Sequence, residues 1–122
     1  MKDVVIDDLV DKRMKKIKLN ALQNRTLALF QELAKSEETS ANIEGSDDIS
    51  IMFLPTPHGD HVHISRFVVS AKDASGLSNE TVWKALERKG MLKSEFPYRI
   101  ILKPLGQSQE TGLFGNFEVS DH

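Results

Sequence analysis

The hexapeptide HGDHVH, residues 58–63, holds three of the four histidines of this 122-residue chain, together with an aspartate. Imidazole nitrogens and carboxylate oxygens are ligands for Zn²⁺, Mn²⁺ and Ni²⁺. On a β-strand, His61 and His63 would lie on one face about 7 Å apart at Cα, close enough for both rings to reach one ion. His58 or Asp60 from the turn would supply a third ligand. The pattern predicts a divalent metal site at His58, Asp60, His61 and His63, but we prefer the interpretation as an exposed, histidine-rich turn, because short His-x-His strings are common.

Two short resemblances bear on this cluster. DHVHI (60–64) resembles the His–hydrophobic–His strand of the HUH endonucleases, in which two histidines and a polar residue hold a divalent ion and a helical tyrosine attacks a DNA phosphodiester. The resemblance implies His61 and His63 as ligands and Tyr98 as nucleophile, although Tyr98 follows Pro97 at the start of an expected strand. VHIS (62–65) also resembles one half of the paired His-x-Ser/Thr motif of the 2H phosphoesterases. These likenesses imply a metal-dependent phosphodiesterase or nuclease as the alternative function.

A basic segment precedes the cluster in the chain. DKRMKKIK (11–18) contains five cations, and on a helical wheel four of them lie away from Met14 and Ile17. Such a surface contacts phosphates or an acidic protein by charge alone, and the segment has no aromatic residue on which bases could stack. The alternative is a solvated helix face, partly neutralised by the acidic residues between 37 and 48. We predict that the partner-binding residues are Lys12, Arg13, Lys15 and Lys16.

Composition narrows the classes of function. With no cysteine in the chain, disulfide frameworks, thiol nucleophiles and cysteine-ligated metal sites are excluded. The formal net charge of −2 is too small for long-range attraction, so electrostatic recognition must come from local patches. No apolar run reaches the roughly 18 residues of a membrane span, and the N-terminus lacks a signal-peptide pattern. We expect one soluble, cytoplasmic domain over residues 1–122, without membrane contact.

Two hydrophobic faces follow one another in the first third of the chain, which has no glycine or proline before Gly45. The first consists of Val10, Met14, Ile17 and Ala21, and the second of Leu22, Thr26, Leu29 and Leu33. Because one straight helix cannot bury both faces against one core, we predict helices over about 6–18 and 21–35. The break falls at Leu19–Asn20, where Asn20 and Gln23 can form a capping box. The alternative is one continuous helix over 6–35, which would need a partner chain.

Strand patterns dominate the remainder, after an acidic loop at 36–48. ISIMFLP (49–55) and HVHISRFVVSA (61–71) are rich in β-branched and aromatic residues and predict a β-hairpin closed by TPHGD. In that hairpin His61, His63, Phe67 and Val69 would share one face. A helix over 79–89 is expected to be capped by Ser78 and ended by Gly90. YRIILKP (98–104) and GLFGNFEVS (112–120) predict two further strands.

These elements predict an α+β fold in which two N-terminal helices pack on a three- or four-stranded antiparallel sheet. One further helix lies between the β-hairpin and the C-terminal strands, and 49–120 forms the hairpin, helix and strand part. For function we favour a small binding or regulatory accessory protein over an enzyme. It would recognise a protein or nucleic acid through the basic helix or a sheet surface, with a homodimer through the N-terminal helices as an open alternative. We assign no catalytic residue and expect no cofactor other than the divalent ion of the metal hypothesis.

Overall fold

Helix α1 (Ala21–Leu33) opens the part of the chain that the computed structural model describes, residues 17–64, 67–113 and 118–119. It begins at a capping box, because the Asn20 side chain accepts from the Gln23 backbone N–H at 2.8 Å and the Gln23 side chain accepts from the Asn20 N–H at 3.1 Å. The predicted break at Leu19–Asn20 is confirmed, since residues 17–20 are not helical. The continuous helix over 6–35 is therefore wrong, and most of the predicted helix over 6–18 lies outside the described residues.

The predicted inner face of α1 is largely buried. Thr26, Leu29 and Leu33 are inaccessible to solvent, and so are Leu27 and Phe30 on the flanks of that face. The helix therefore buries more than one stripe, because elements pack on it from several sides. Phe30 meets the ring of Trp83 edge to face, with ring centroids 5.8 Å apart.

A four-stranded antiparallel sheet has the order β1-β2-β6-β5. Its strands are β1 (Ser40–Asn42), β2 (Ile49–Ile51), β5 (Leu92–Glu95) and β6 (Arg99–Leu102). Strand β1 lies within the segment that the sequence predicted to be an acidic loop, and β5 was not predicted. The sequence of β1, SAN, has none of the β-branched or aromatic residues by which strands are recognised. Strand β1 forms because its backbone pairs with β2.

A second sheet has the order β3-β4-β7, formed by β3 (His61–Ile64), β4 (Phe67–Ser70) and β7 (Glu118–Val119). The predicted hairpin between 49–55 and 61–71 is wrong. Strand β2 pairs with β1 and β6, and the hairpin forms inside the segment that was predicted to be a single strand, between β3 and β4. The physical reason is the exit from β2, where Phe53 has a positive φ of 52° and two prolines follow, so that the chain leaves the first sheet.

Helix α2 (Glu80–Arg88) occupies the predicted position, but its N-cap is Asn79 and not Ser78. The Asn79 carboxamide oxygen accepts from the backbone N–H groups of Thr81 and Val82. Gly90 has a φ of 80° after the last turn, which confirms its predicted role as the terminating residue. A 3-10 helix (Ser75–Ser78) precedes α2, and a short helix α3 (Pro104–Ser108) follows β6, where the sequence predicted no helix.

One hydrophobic cluster connects α1, α2 and both sheets. Trp83 lies at its centre between Phe30 and Phe96, and its indole N–H donates to the Gly76 carbonyl at 3.1 Å. The predicted α+β class is confirmed, with two antiparallel sheets in place of the single one expected. Among the described residues, no helix has the length and apolar character needed to cross a membrane.

Candidate functional site

The histidine cluster is built on a tight turn. The His58 N–H donates to the His61 carbonyl at 2.7 Å, and the His61 N–H donates back to the His58 carbonyl at 3.3 Å. Gly59 occupies the left-handed position that this turn requires, with a φ of 68°. The Asp60 carbonyl accepts from Ala71 N–H at 2.8 Å, which ties the turn to the end of β4. The backbone therefore holds His58 beside β3.

The three imidazole rings lie close together. Ring centroids are 5.0 Å apart for His61 and His63, 5.9 Å for His58 and His63, and 6.3 Å for His58 and His61. The Asp60 carboxylate lies 3.4 Å from Nδ1 of His61 and is fully exposed. The sequence therefore predicted correctly that these side chains are neighbours. As the side chains stand, the described residues contain no group of three or more potential ligands that could hold a metal ion, so the metal site stays a prediction.

The residues that share a sheet face with His61 and His63 differ from those predicted. The registers His61↔Ser70 and His63↔Val68 place the histidines on the same face as Ser70 and Val68, whereas Phe67 and Val69 are buried on the opposite face. The reason is the reversal of the chain between β3 and β4, which breaks the alternation that one continuous strand would keep. The histidines thus lie on the outer, partly exposed face of the sheet.

The predicted partner-binding residues Lys12, Arg13, Lys15 and Lys16 lie outside the described residues. The structure does describe the point at which their segment joins the fold. The Gln109 carboxamide donates to the Ile17 carbonyl at 2.8 Å, and the Lys89 ammonium donates to the Lys18 carbonyl at 2.6 Å. Gln109 is itself buried, and its backbone carbonyl accepts from the Gln31 side chain. The chain entering α1 is therefore fixed to the loop after α3 and to the end of α2.

A second candidate site lies where β2 ends and β6 begins. Of the described residues, the large apolar side chains that remain exposed are Met52, Phe53 and Tyr98, at 36%, 74% and 80% exposure. The register Ile51↔Ile100 brings the residues after β2 and before β6 to the same end of the four-stranded sheet. We call Met52, Phe53 and Tyr98 the aromatic end. Sequence reasoning missed it, because it depends on the pairing of two strands that are about fifty residues apart.

An apolar cavity of about 350 Å³ adjoins the aromatic end. Its walls come from the residues next to Phe53 and Tyr98 in the chain, from β3 and from the segment that follows β4, and include Leu54, Pro57, Val62, Leu77, Phe96 and Pro97. Cavities of this size with apolar walls are the usual form of a binding site for a small group or for one side chain of a partner. A second cavity, of about 330 Å³, lies between α1 and α3. Its lining includes Gln31, whose side chain donates to the backbone carbonyls of Gly106 and Gln109 and so holds α1 against α3.

Two exposed acidic residues lie at the same end of the four-stranded sheet as the aromatic end. Glu37 and Glu38 are exposed in the turn that leads into β1, and the Met52 N–H donates to the Thr39 carbonyl at 2.8 Å, so this turn lies at the same end of the sheet. Glu95 and Arg99 also lie there, but they neutralise each other. The hydrogen bond from Arg99 Nε at 2.6 Å lowers the pKa of the Glu95 carboxyl below its ordinary value and raises the pKa of Arg99.

Tyr98, which the nuclease resemblance implied as a nucleophile, lies in the turn before β6 on the four-stranded sheet, whereas the histidines belong to the other sheet. The sequence predicted Tyr98 as the first residue of a strand, and the structure begins that strand one residue later, at Arg99. Comparison with family models, with curated proteins and with solved structures finds no match to this chain.

Proposed function

We propose that this protein is a binding protein that docks a segment of a partner protein on the aromatic end of its four-stranded sheet. The observation that carries the proposal is the exposure of two aromatic side chains, Phe53 and Tyr98, whose chain neighbours Leu54 and Pro97 line an apolar cavity. Fully burying a phenylalanine side chain contributes about 1.5–3 kcal/mol. Phe53 and Tyr98 leave most of this free energy available to a partner.

The conformation of Phe53 supports the same proposal. Its φ of 52° lies in the left-handed region, which glycine and asparagine occupy readily and a bulky aromatic residue rarely does. A strained position that holds a large exposed apolar side chain is better explained by recognition than by folding. Aromatic side chains next to a pocket also dominate the free energy of many protein interfaces.

The charges around the site indicate the chemistry of the partner. Glu37 and Glu38 contribute negative charge, while the positive charge of Arg99 is already paired with Glu95. A segment that combines a large apolar side chain with lysine or arginine residues would fill the cavity and meet the acidic turn. Cations would also interact favourably with the faces of the two aromatic rings. We therefore propose that the partner segment carries both a large apolar side chain and lysine or arginine residues.

The test is selection of a displayed library of random peptides against the full chain. We expect the bound peptides to carry an aromatic or large aliphatic residue flanked by lysine or arginine. Replacing Phe53 and Tyr98 together by serine should abolish their binding while leaving the unfolding transition cooperative, because both side chains are exposed. Selected peptides that bind the double variant unchanged would refute the docking surface, as would a selection that yields no specific binder.

A matched pair of charge reversals tests the acidic turn. Glu37→Lys with Glu38→Lys should weaken the selected basic peptides. Glu44→Lys with Asp47→Lys makes the same change in net charge in the exposed turn between β1 and β2, at the opposite end of β1. That second variant should bind as the unmodified chain does. Equal effects of the two pairs would show that only net charge matters and would contradict a site at this end of the sheet.

The basic segment remains a second candidate for partner binding, favoured by its five cations and by the attachment of Ile17 and Lys18 to the fold. Its partner would be a phosphate-rich or acidic macromolecule. Lys12→Glu, Lys15→Glu and Lys16→Glu together should abolish binding to double-stranded DNA or RNA probes, and binding by the unmodified chain should weaken steeply with salt. Retention of nucleic-acid binding in this triple variant would remove the candidate.

A further inference from the structure

We propose that His58, His61 and His63 together bind one divalent ion of the late first transition series, with Zn²⁺, Ni²⁺ and Cu²⁺ as the fitting ions. The proposal does not depend on the docking of a partner. It rests on three imidazole rings that one backbone turn brings within 5.0–6.3 Å of one another, centroid to centroid. Imidazole nitrogens favour these ions over Mg²⁺ and Ca²⁺, which require oxygen ligands.

The ring separations are close to those that a tetrahedral ion imposes. With Zn–N bonds of about 2 Å, each ring centroid lies about 3 Å from the metal, so two centroids are about 5 Å apart. The pair His61 and His63 already has this separation, at 5.0 Å. His58 must approach each of the other rings by about 1 Å. A water molecule would complete the coordination.

Reaching this arrangement requires rotation about the side-chain bonds of the three histidines, because the described side chains are not oriented for a metal ion. The backbone is already fixed, because the hydrogen bonds between His58 and His61 close the turn. Most of the entropy of bringing the three ligands together is therefore lost on folding and not on binding.

Asp60 would act as an orienting residue. Its carboxylate lies 3.4 Å from Nδ1 of His61, and a carboxylate at this nitrogen leaves Nε2 available to the metal. Hydrogen bonds of this kind raise the basicity of a ligating imidazole. Since Asp60 is fully exposed, its contribution should be smaller than that of the histidines.

The test is calorimetric titration of the tag-free full chain with Zn²⁺ and Ni²⁺ alone. We expect one equimolar site. His61→Ala should abolish it, since this ring forms the closest pair, with His63, and lies beside Asp60, whereas His58→Ala should weaken it without abolishing it. His122→Ala removes the remaining histidine of the chain and should leave the affinity unchanged. Asp60→Asn should weaken binding by up to about tenfold without changing the stoichiometry.

Several results would overturn the proposal. They are an absence of equimolar binding, an unchanged affinity in His61→Ala, and a loss in His122→Ala as large as in His61→Ala. A second measurement separates metal binding from folding. The midpoint of thermal unfolding of the unmodified chain should rise with Zn²⁺ concentration, whereas that of His61→Ala should start at a similar value and not respond. A His61→Ala midpoint that rises as much as that of the unmodified chain would place the metal elsewhere.

Discussion

Replacing Phe53 by glycine should remove partner binding and leave the stability of the protein almost unchanged. Relief of the left-handed conformation stabilises the variant by about 1–2 kcal/mol. The greater freedom of glycine in the unfolded chain costs about 0.5–1 kcal/mol. Because the side chain is 74% exposed, its loss forfeits only about a quarter of the burial free energy of a phenylalanine, or about 0.5 kcal/mol. These contributions leave a net change within about 1 kcal/mol of zero.

The effect on binding should be much larger. An aromatic side chain at the centre of a docking site contributes about 2 kcal/mol or more, which corresponds to a rise of about 30-fold in Kd. Urea unfolding measures the first quantity, and calorimetric titration with a peptide selected on the unmodified chain measures the second. Phe53→Ala is the matched control, because it removes the ring but keeps the left-handed strain. It should lose the same affinity and be less stable than Phe53→Gly.

Two results would refute this reasoning. If Phe53→Gly lowers the free energy of unfolding by more than about 2 kcal/mol, the ring contributes to the fold and its exposure is not available for a partner. If the peptide affinity falls by less than about threefold, Phe53 is not part of the docking site.

Three further predictions concern the fold and the ion pair. Gly76→Ala should destabilise the protein by about 1–3 kcal/mol in urea unfolding, because the new methyl group would overlap the buried Thr26 hydroxyl, and shortening Thr26 to alanine should restore part of the loss. Asn20→Ala should cost about 1 kcal/mol by the same measurement, through loss of the α1 cap. The hydrogen bond from Arg99 lowers the pKa of Glu95, so this pair stabilises the fold above the ordinary pKa of glutamate and ceases to do so as the pH falls through the lowered value. The stability difference between the unmodified chain and Glu95→Gln should therefore shrink at acidic pH, and a difference independent of pH would contradict the assignment.

The features that the sequence predicted correctly are local ones. The start of α1 follows from Asn20 and Gln23, which lie three positions apart, and the end of α2 follows from Gly90. The neighbouring positions of His61 and His63 follow from the alternation of a strand over three residues. In each case the signal and the structure it specifies fall within one turn of helix or one short strand.

Two of the features that the sequence did not reveal, the pairing of β2 with β6 and the aromatic end, depend on long-range contacts. Strand β2 joins β6 through the register Ile49↔Leu102, and nothing near β2 in the chain distinguishes this partner from the nearer β3. The aromatic end follows from that pairing, so it was missed together with it. The cap of α2 was placed one residue early for another reason, since Ser78 and Asn79 are both good N-caps and only the backbone conformation separates them.

The two candidate sites share one stretch of chain. Phe53 begins it at the end of the first sheet, His58 ends it beside the second, and Leu54 to Pro57 between them line the apolar cavity. Val62, which also lines the cavity, lies between the two histidines of β3.

An ion held by His58 and β3 would fix this wall of the cavity and so lower the ordering cost of docking a peptide there. Linkage then requires the converse, that the peptide raise the affinity for the ion by the same factor, and couplings of this kind are typically about 5–150-fold. Titrating a selected peptide with and without saturating Zn²⁺ measures the factor in one direction, and titrating Zn²⁺ with and without the peptide measures it in the other. A factor near one in both titrations would show that the two sites act independently, whereas equal factors above one would show that they are coupled.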